Sequence, residues 1–208
     1  MAELHTEIAR HFNERAHIAH GLDHVERVAA LARFIAEKES YNPEEAEIAG
    51  LLHDIGRTVQ EEEKGHGPAG VPLASELLDK HTTFDHDAKQ RILNAVRDHS
   101  DFKPEGKLTH ILQDADMLDG LGAIGIMRGY TSKASLPCYD PEDIVPQVGE
   151  RNTTIHGQLA FQMEWLGMMH TDTGKTIAAR RHALMQDFLQ NFKFEVLGQD
   201  YRNELGDH

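Results

Sequence analysis

The chain has almost no cysteine, no basic cluster and no long apolar run, and each absence removes a class of function. Its single thiol, Cys138, cannot close an internal disulfide, which fits a reducing cytosol and an inert loop thiol. Lys and Arg number 21 against 35 Asp and Glu, a formal charge of −14, and the cations are dispersed. That balance argues against a nucleic-acid backbone or an anionic membrane as partner. No signal peptide and no apolar stretch near 18 residues occurs, so a cytoplasmic location is expected, with no membrane span. Strand-like alternation and internal repeats are missing too, which leaves an all-α class.

What is present is helix. With 208 residues and 39% apolar content, one compact unit over 1–208 is expected, with a core at about 20–130 and a C-terminal helical extension at about 150–198. Leu22, Val25, Val28, Ala29, Leu31, Ala32, Ile35 and Ala36 recur at spacings of three and four, the mark of one apolar helix face. The next helix starts with Asn42 as N-cap and Pro43 at its first position, and ends at Gly56. Further helices are predicted at roughly 68–80, 86–99, 107–128, 155–170 and 174–197, the last with Ile177, Arg181, Leu184, Phe188 and Phe192 at helical spacing. Residues 131–149 hold three prolines and read as a loop.

Fifteen histidines stand in the sequence, and their positions say more than their number. "LLHDIGR" sets His53 and Asp54 side by side after two leucines, where an unpaired ionisable group costs several kcal/mol. A metal ion satisfies both at once. His24 precedes Val28, Leu31 and Ile35 on their inward face, and Asp116 follows Leu108 and Leu112 on another apolar face. Three helices therefore point N or O donors inward. The mixed imidazole and carboxylate set suits Mn²⁺, Fe²⁺, Co²⁺, Ni²⁺ or Zn²⁺, whereas Mg²⁺ prefers more oxygen.

His24 in "GLDHVERV", His53 and Asp54 in "LLHDIG" and Asp116 in "DADMLD" resemble the H…HD…D signature of the HD-domain superfamily of metal-dependent phosphohydrolases. The resemblance implies an all-α HD-domain helical bundle with additional C-terminal helices, and a metal held by these four side chains. The pattern "ADxL" favours Asp116, with Asp114 and Asp119 as supporting or substitute groups. "DADMLDGLGAIGIMRGY" and the run from "HGQLAFQMEWLGMM" to "GKTIAARRHALMQDFLQNF" look like a bacterial subgroup of small HD hydrolases, some of them nucleoside triphosphate pyrophosphohydrolases. The aromatic pair of that subgroup's "WWHxERV" is absent here.

His66 in "HGPAGV" and His99 in "AVRDHS" resemble the extra histidines of two-metal HD proteins and are candidates for a second ion. The competing roles are capping of the following helix for His66 and stabilisation of a helix C-terminus for His99, or contact of both with substrate phosphate alone. A metal so held activates water against phosphorus, and Asp54, bound to the metal and near that water, is the candidate to orient or deprotonate it. Arg57 and Arg128 are the candidates for bidentate phosphate contacts, against a surface salt bridge for each, with Lys64 and Arg97 behind them. His17 and His20 read as solvent-facing or supporting residues. The expected function is metal-dependent hydrolysis of a phosphoester or phosphoanhydride in a small nucleotide-like substrate. The alternatives are a di-iron HD-type oxygenase and a non-catalytic, metal-containing nucleotide sensor. The sequence does not specify an oligomeric state.

Overall fold

The structure, a computed structural model, describes residues 2–14, 19–60, 64–142, 144 and 153–205. Among these residues the regular structure is ten α-helices and two 3-10 turns, with no strand; the all-α class is as the sequence predicts. The helices gather into two compact units, Met1–Asp119 with Met169–Lys175, and Gly120–Met168 with Thr176–His208. His17 and part of the expected 131–149 loop lie outside the described residues.

The first unit holds α1 (Ala2–Glu14), α2 (Leu22–Lys38), α3 (Pro43–Leu52), α4 (His66–His81), α5 (His86–Asp98) and α6 (Lys107–Asp119). Helix α1 escapes the sequence reading, although Leu4, Ile8 and Phe12 stand four apart and form its buried stripe. Helix α2 buries Val25, Val28, Ala29, Ala32, Ile35 and Ala36, with His24 on the same face. It packs on α3 and α6, and α3 packs on α5. Each buried Leu, Ile or Val contributes about 1.5–3 kcal/mol, so these faces drive the packing. Asn42 starts α3 as expected, its Oδ1 accepting from the Glu44 and Glu45 amides at 3.0 and 3.3 Å. Where α2 meets α3, a Cβ on Gly50 would stand 2.5 Å from the Ala29 Cα. The two backbones approach this closely because position 50 has no side chain.

Three predicted helices end earlier than their apolar spacing suggests. The helix over 42–56 stops at Leu52 and resumes as a 3-10 turn, Ile55–Thr58. The helix over 107–128 is two: α6 ends at Asp119, and α7 (Gly122–Ser132) begins after Leu121, which is extended at φ −115°, ψ 154°. Gly120 and Gly122 flank that break, and glycine is a poor helix former. The helix over 155–170 is α8 (Ile155–Met163) followed by a 3-10 turn, Glu164–Met168.

The second unit contains α7, α8, most of α9 (Asp172–Leu197) and α10 (Gln199–Leu205). Thr154 caps α8 by accepting from the Gly157 amide at 2.9 Å. Ala178 and Met185 are the fully buried apolar residues of α9, while Leu184 and Phe188 are 46% and 41% exposed. The first turn of α9 belongs to the first unit. There the buried Asp114 carboxylate accepts from the His170 and Thr171 amides, both at 2.8 Å, and from Thr171 Oγ1 at 2.6 Å.

Candidate metal centre

The helices of the first unit bring six ligand-type side chains together around Asp54. Successive residues of a straight helix point about 100° apart, which would separate His53 from Asp54. His53 retains helical angles, but Asp54 leaves them for φ −98°, ψ 9° as the chain tightens into its 3-10 turn. Both side chains then serve one space. A Cβ on Gly56 would stand 1.8 Å from the His66 carbonyl oxygen, so this glycine permits the turn to lie against the start of α4. The contact carries His66 to Asp54, and α5 presents His99 from its C-terminal end.

Two groups of donor atoms result. His24 Nε2 lies 3.3 Å from His53 Nε2, 3.3 Å from Asp116 Oδ1 and 3.7 Å from Asp54 Oδ2. His53 Nε2 lies 3.5 Å from Asp54 Oδ2 and 4.0 Å from Asp116 Oδ1. On the other side of the same carboxylate, Asp54 Oδ1 lies 3.2 Å from His66 Nε2 and 3.8 Å from His99 Nε2, and the two imidazole nitrogens are 2.9 Å apart. His24, His53, Asp54, His66 and His99 are buried, while Asp116 is 34% exposed and forms the open edge.

Hydrogen bonds on the far edges fix which nitrogens face inward. His53 Nδ1 donates to the Gly50 carbonyl at 2.7 Å and His99 Nδ1 to the Val96 carbonyl at 2.8 Å. Each neutral ring therefore turns an Nε2 lone pair toward the cluster. Burial keeps them neutral: it lowers the His53 pKa to about 4 and lowers that of His99, against the pull of Asp54 and Asp116. For Asp54, burial works upward, but His53, His20 and His66 outweigh it and hold the carboxyl well below its usual range. Asp116 is likewise held ionised, burial being overcome by His24 and His53. Neutral imidazoles and ionised carboxylates are the protonation states that bind a cation.

The three aspartates of "DADMLD" have separate places. Asp116 joins the donor cluster, Asp114 anchors the start of α9, and Asp119 accepts from His24 Nδ1 at 2.8 Å. Arg57 lies in the cluster, its Nε donating to Asp54 Oδ1 at 2.7 Å and its Nη2 lying 3.4 Å from His66 Nε2. His20, at the turn before α2, donates from Nδ1 to Asp54 Oδ2 at 2.7 Å. Arg128 is half-buried on α7, in the second unit. Lys64 is exposed, and Arg97 pairs with its neighbour Asp98. Arg27 goes unnoticed in the sequence, yet it stands one helical turn after His24 and bonds Asp119 through Nε and Nη2 at 2.8 and 3.0 Å.

Residues 21–121 match the family model of the HD domain. The chain carries an HD domain. The matched segment holds His24, His53, Asp54 and Asp116, the four residues that resemble the HD signature. Over 200 residues it is 28% identical to YpgQ of Bacillus subtilis, a match covering 87% of this chain and 86% of YpgQ. An HD-superfamily hydrolase from Bacillus thuringiensis has a crystal structure that matches with a TM-score of 0.74 at 25% identity, over 93% of this chain and 95% of that one. A Lactobacillus plantarum protein of known crystal structure matches with a TM-score of 0.73 at 28% identity, over 95% and 96% of the two chains. YpgQ itself has been crystallised in complex with ADP, and that structure shares the fold with a TM-score of 0.71 at 22% identity over 93% of both chains. Among the described residues no helix is long and apolar enough to cross a membrane.

Proposed function

We propose that this HD protein is a metal-dependent phosphohydrolase that cleaves a phosphoester or phosphoanhydride bond of a small nucleotide-like substrate. The observation that carries the reading is the Asp54 carboxylate, with one oxygen beside His24 and His53 and the other beside His66 and His99. His24, His53, Asp54 and Asp116 would hold one divalent transition metal; Asp54, His66 and His99 would hold a second. The 2.9–4.0 Å separations between donor atoms bracket the roughly 3–3.5 Å between neighbouring ligands of an ion bound at about 2.0–2.2 Å.

When bound, such an ion lowers the pKa of its water and neutralises charge developing at phosphorus. The water oxygen would form the new bond to phosphorus as the bond to the leaving oxygen breaks. Asp54, kept ionised by its histidine neighbours, would orient that water and take its proton as the bond forms. Arg57, already seated on Asp54, supplies positive charge beside the donor groups for a phosphate oxygen. Local charge matters here because a chain at −14 repels anions at longer range. The ADP bound to YpgQ, a relative over most of its length, supports a nucleotide as the substrate class.

The test is phosphate or pyrophosphate release from nucleoside di- and triphosphates with Mn²⁺, Fe²⁺, Co²⁺, Ni²⁺ and Zn²⁺ in turn. Turnover that EDTA abolishes and that His53→Ala lacks is the expected result. Failure to turn over any nucleotide with any of these ions would overturn the proposal.

A further inference from the structure

We infer that Asp119, gripped by Arg27, is a positioning residue that sets the tautomer and orientation of His24, and so the affinity of the metal centre. The inference rests on the proposed metal role of His24. Neither Asp119 nor Arg27 touches the donor space in the contacts described above. Their effect would pass through one imidazole.

Asp119 is 1% exposed and belongs to the last turn of α6, while His24 and Arg27 stand three residues apart in the first turns of α2. Asp119 Oδ2 accepts from His24 Nδ1 at 2.8 Å. An ionised carboxylate with an imidazole nitrogen at that distance can only accept a hydrogen bond from its N–H. The proton is thereby held on Nδ1, and Nε2 is the nitrogen directed at His53, Asp54 and Asp116. His53 and His99 obtain the same orientation from backbone carbonyls. His24 alone of these three takes it from a carboxylate, which also raises the basicity of the ring and hence its strength as a ligand.

Asp119 does not choose its own orientation. Arg27 Nε donates to Oδ1 and Nη2 to Oδ2, a fork that engages both carboxylate oxygens. Arg27 is in turn tied to Asp23 Oδ2 through Nη1 at 2.9 Å on the solvent side. An amide in place of the carboxylate cannot serve this arrangement. With its oxygen toward Arg27 Nε, the amide would point N–H groups at His24 Nδ1 and at Arg27 Nη2, and His24 could accept only by moving its proton to Nε2, where it would block the metal. With its oxygen toward His24, the amide would turn an N–H group on Arg27 Nε, break the fork and bring no charge to His24.

Asp119→Asn and Arg27→Gln test this in the metal-free and Mn²⁺-titrated protein. ¹⁵N NMR of the imidazoles reads the His24 tautomer without metal, and the EPR signal of free Mn²⁺ reads affinity without any substrate. The expected result is an Nδ1–H tautomer in the wild type, a population shifted toward Nε2–H in Asp119→Asn, and Mn²⁺ affinity weaker there by about 10–100-fold. Arg27→Gln should shift affinity in the same direction by less. A wild-type protein that binds no Mn²⁺ would overturn the metal reading beneath the inference. A wild type that binds, with both variants within twofold of it and His24 still protonated on Nδ1, would overturn the inference alone. If Asp119→Asn does not fold, Arg27→Gln decides by the same two readouts.

Discussion

Asp54 meets His66 through Oδ1 at 3.2 Å while its other oxygen is turned to the His24 and His53 side of the cluster. A carboxylate that offers a different oxygen to each donor group couples them. Asp54→Ala is therefore expected to lose all retained transition metal and all hydrolysis, while His53→Ala should lose the ion of its own group, and all hydrolysis with it, by removing the nitrogen that faces both carboxylates. Circular dichroism should still show a helical protein, since the apolar faces of α2 and α3 are untouched. Elemental analysis of the purified variants decides it, and full occupancy in either would contradict the assignment.

His99 separates the two groups. Its Nε2 lies 3.8 Å from Asp54 Oδ1 and 2.9 Å from His66 Nε2, and no contact described above links it to Asp116 or His24. His99→Ala should lower the saturating metal content from two ions per chain to one. Mass spectrometry of the native protein at saturating Mn²⁺ reads this directly. A wild type that saturates at one ion would return His66 and His99 to phosphate contacts or structural groups.

The central part of the site is legible in the sequence because its donors lie on apolar helical stripes, where a polar residue stands out: His24 on the Val25–Ala36 face, Asp116 behind Leu108 and Leu112. What is not legible depends on turns and on contacts distant in sequence. His20 reaches Asp54 only because the chain turns just before α2, and Arg27 meets Asp119 across 92 residues. The long predicted helix over 107–128 hides its break, since Leu118 and Leu121 continue the apolar spacing through Gly120. Helix α1 was readable from Leu4, Ile8 and Phe12. Its stripe carries no chemistry to draw attention.

The contact between α2 and α3 gives a packing prediction. A methyl group at position 50 would meet the Ala29 backbone at 2.5 Å, and main chain cannot yield as a flexible side chain can. Gly50→Ala should therefore lose about 1–3 kcal/mol of stability, the usual cost of overpacking, and should also weaken metal binding by parting His24 from His53. Urea unfolding and Mn²⁺ titration of the variant test both effects. A variant as stable as the wild type would show that the two helices can separate freely.

Helix α1 is tied to the unit by Glu7, whose carboxylate accepts from Lys80 Nζ at 2.8 and 3.0 Å and from His81 Nε2 at 2.5 Å. The bond to Lys80 and then that to His81 hold its pKa at about 2, below the ordinary 4.5. A carboxyl depressed on folding stabilises the folded state above its unfolded pKa and loses that contribution as pH falls through the folded value. The urea midpoint of Glu7→Gln should thus lie below that of the wild type at pH 6, and the gap should close between pH 4.5 and 2. A gap that is constant with pH would assign the effect to packing of the side chain.

The most direct measurement of the metal centre is anomalous scattering at the metal edge from crystals grown with Mn²⁺. Two peaks about 3.5–4 Å apart, one among His24, His53 and Asp116 and one between His66 and His99, with the Asp54 carboxylate spanning them, are the predicted result. No peak at saturating metal, or a peak only at surface carboxylates away from Asp54, would contradict the account.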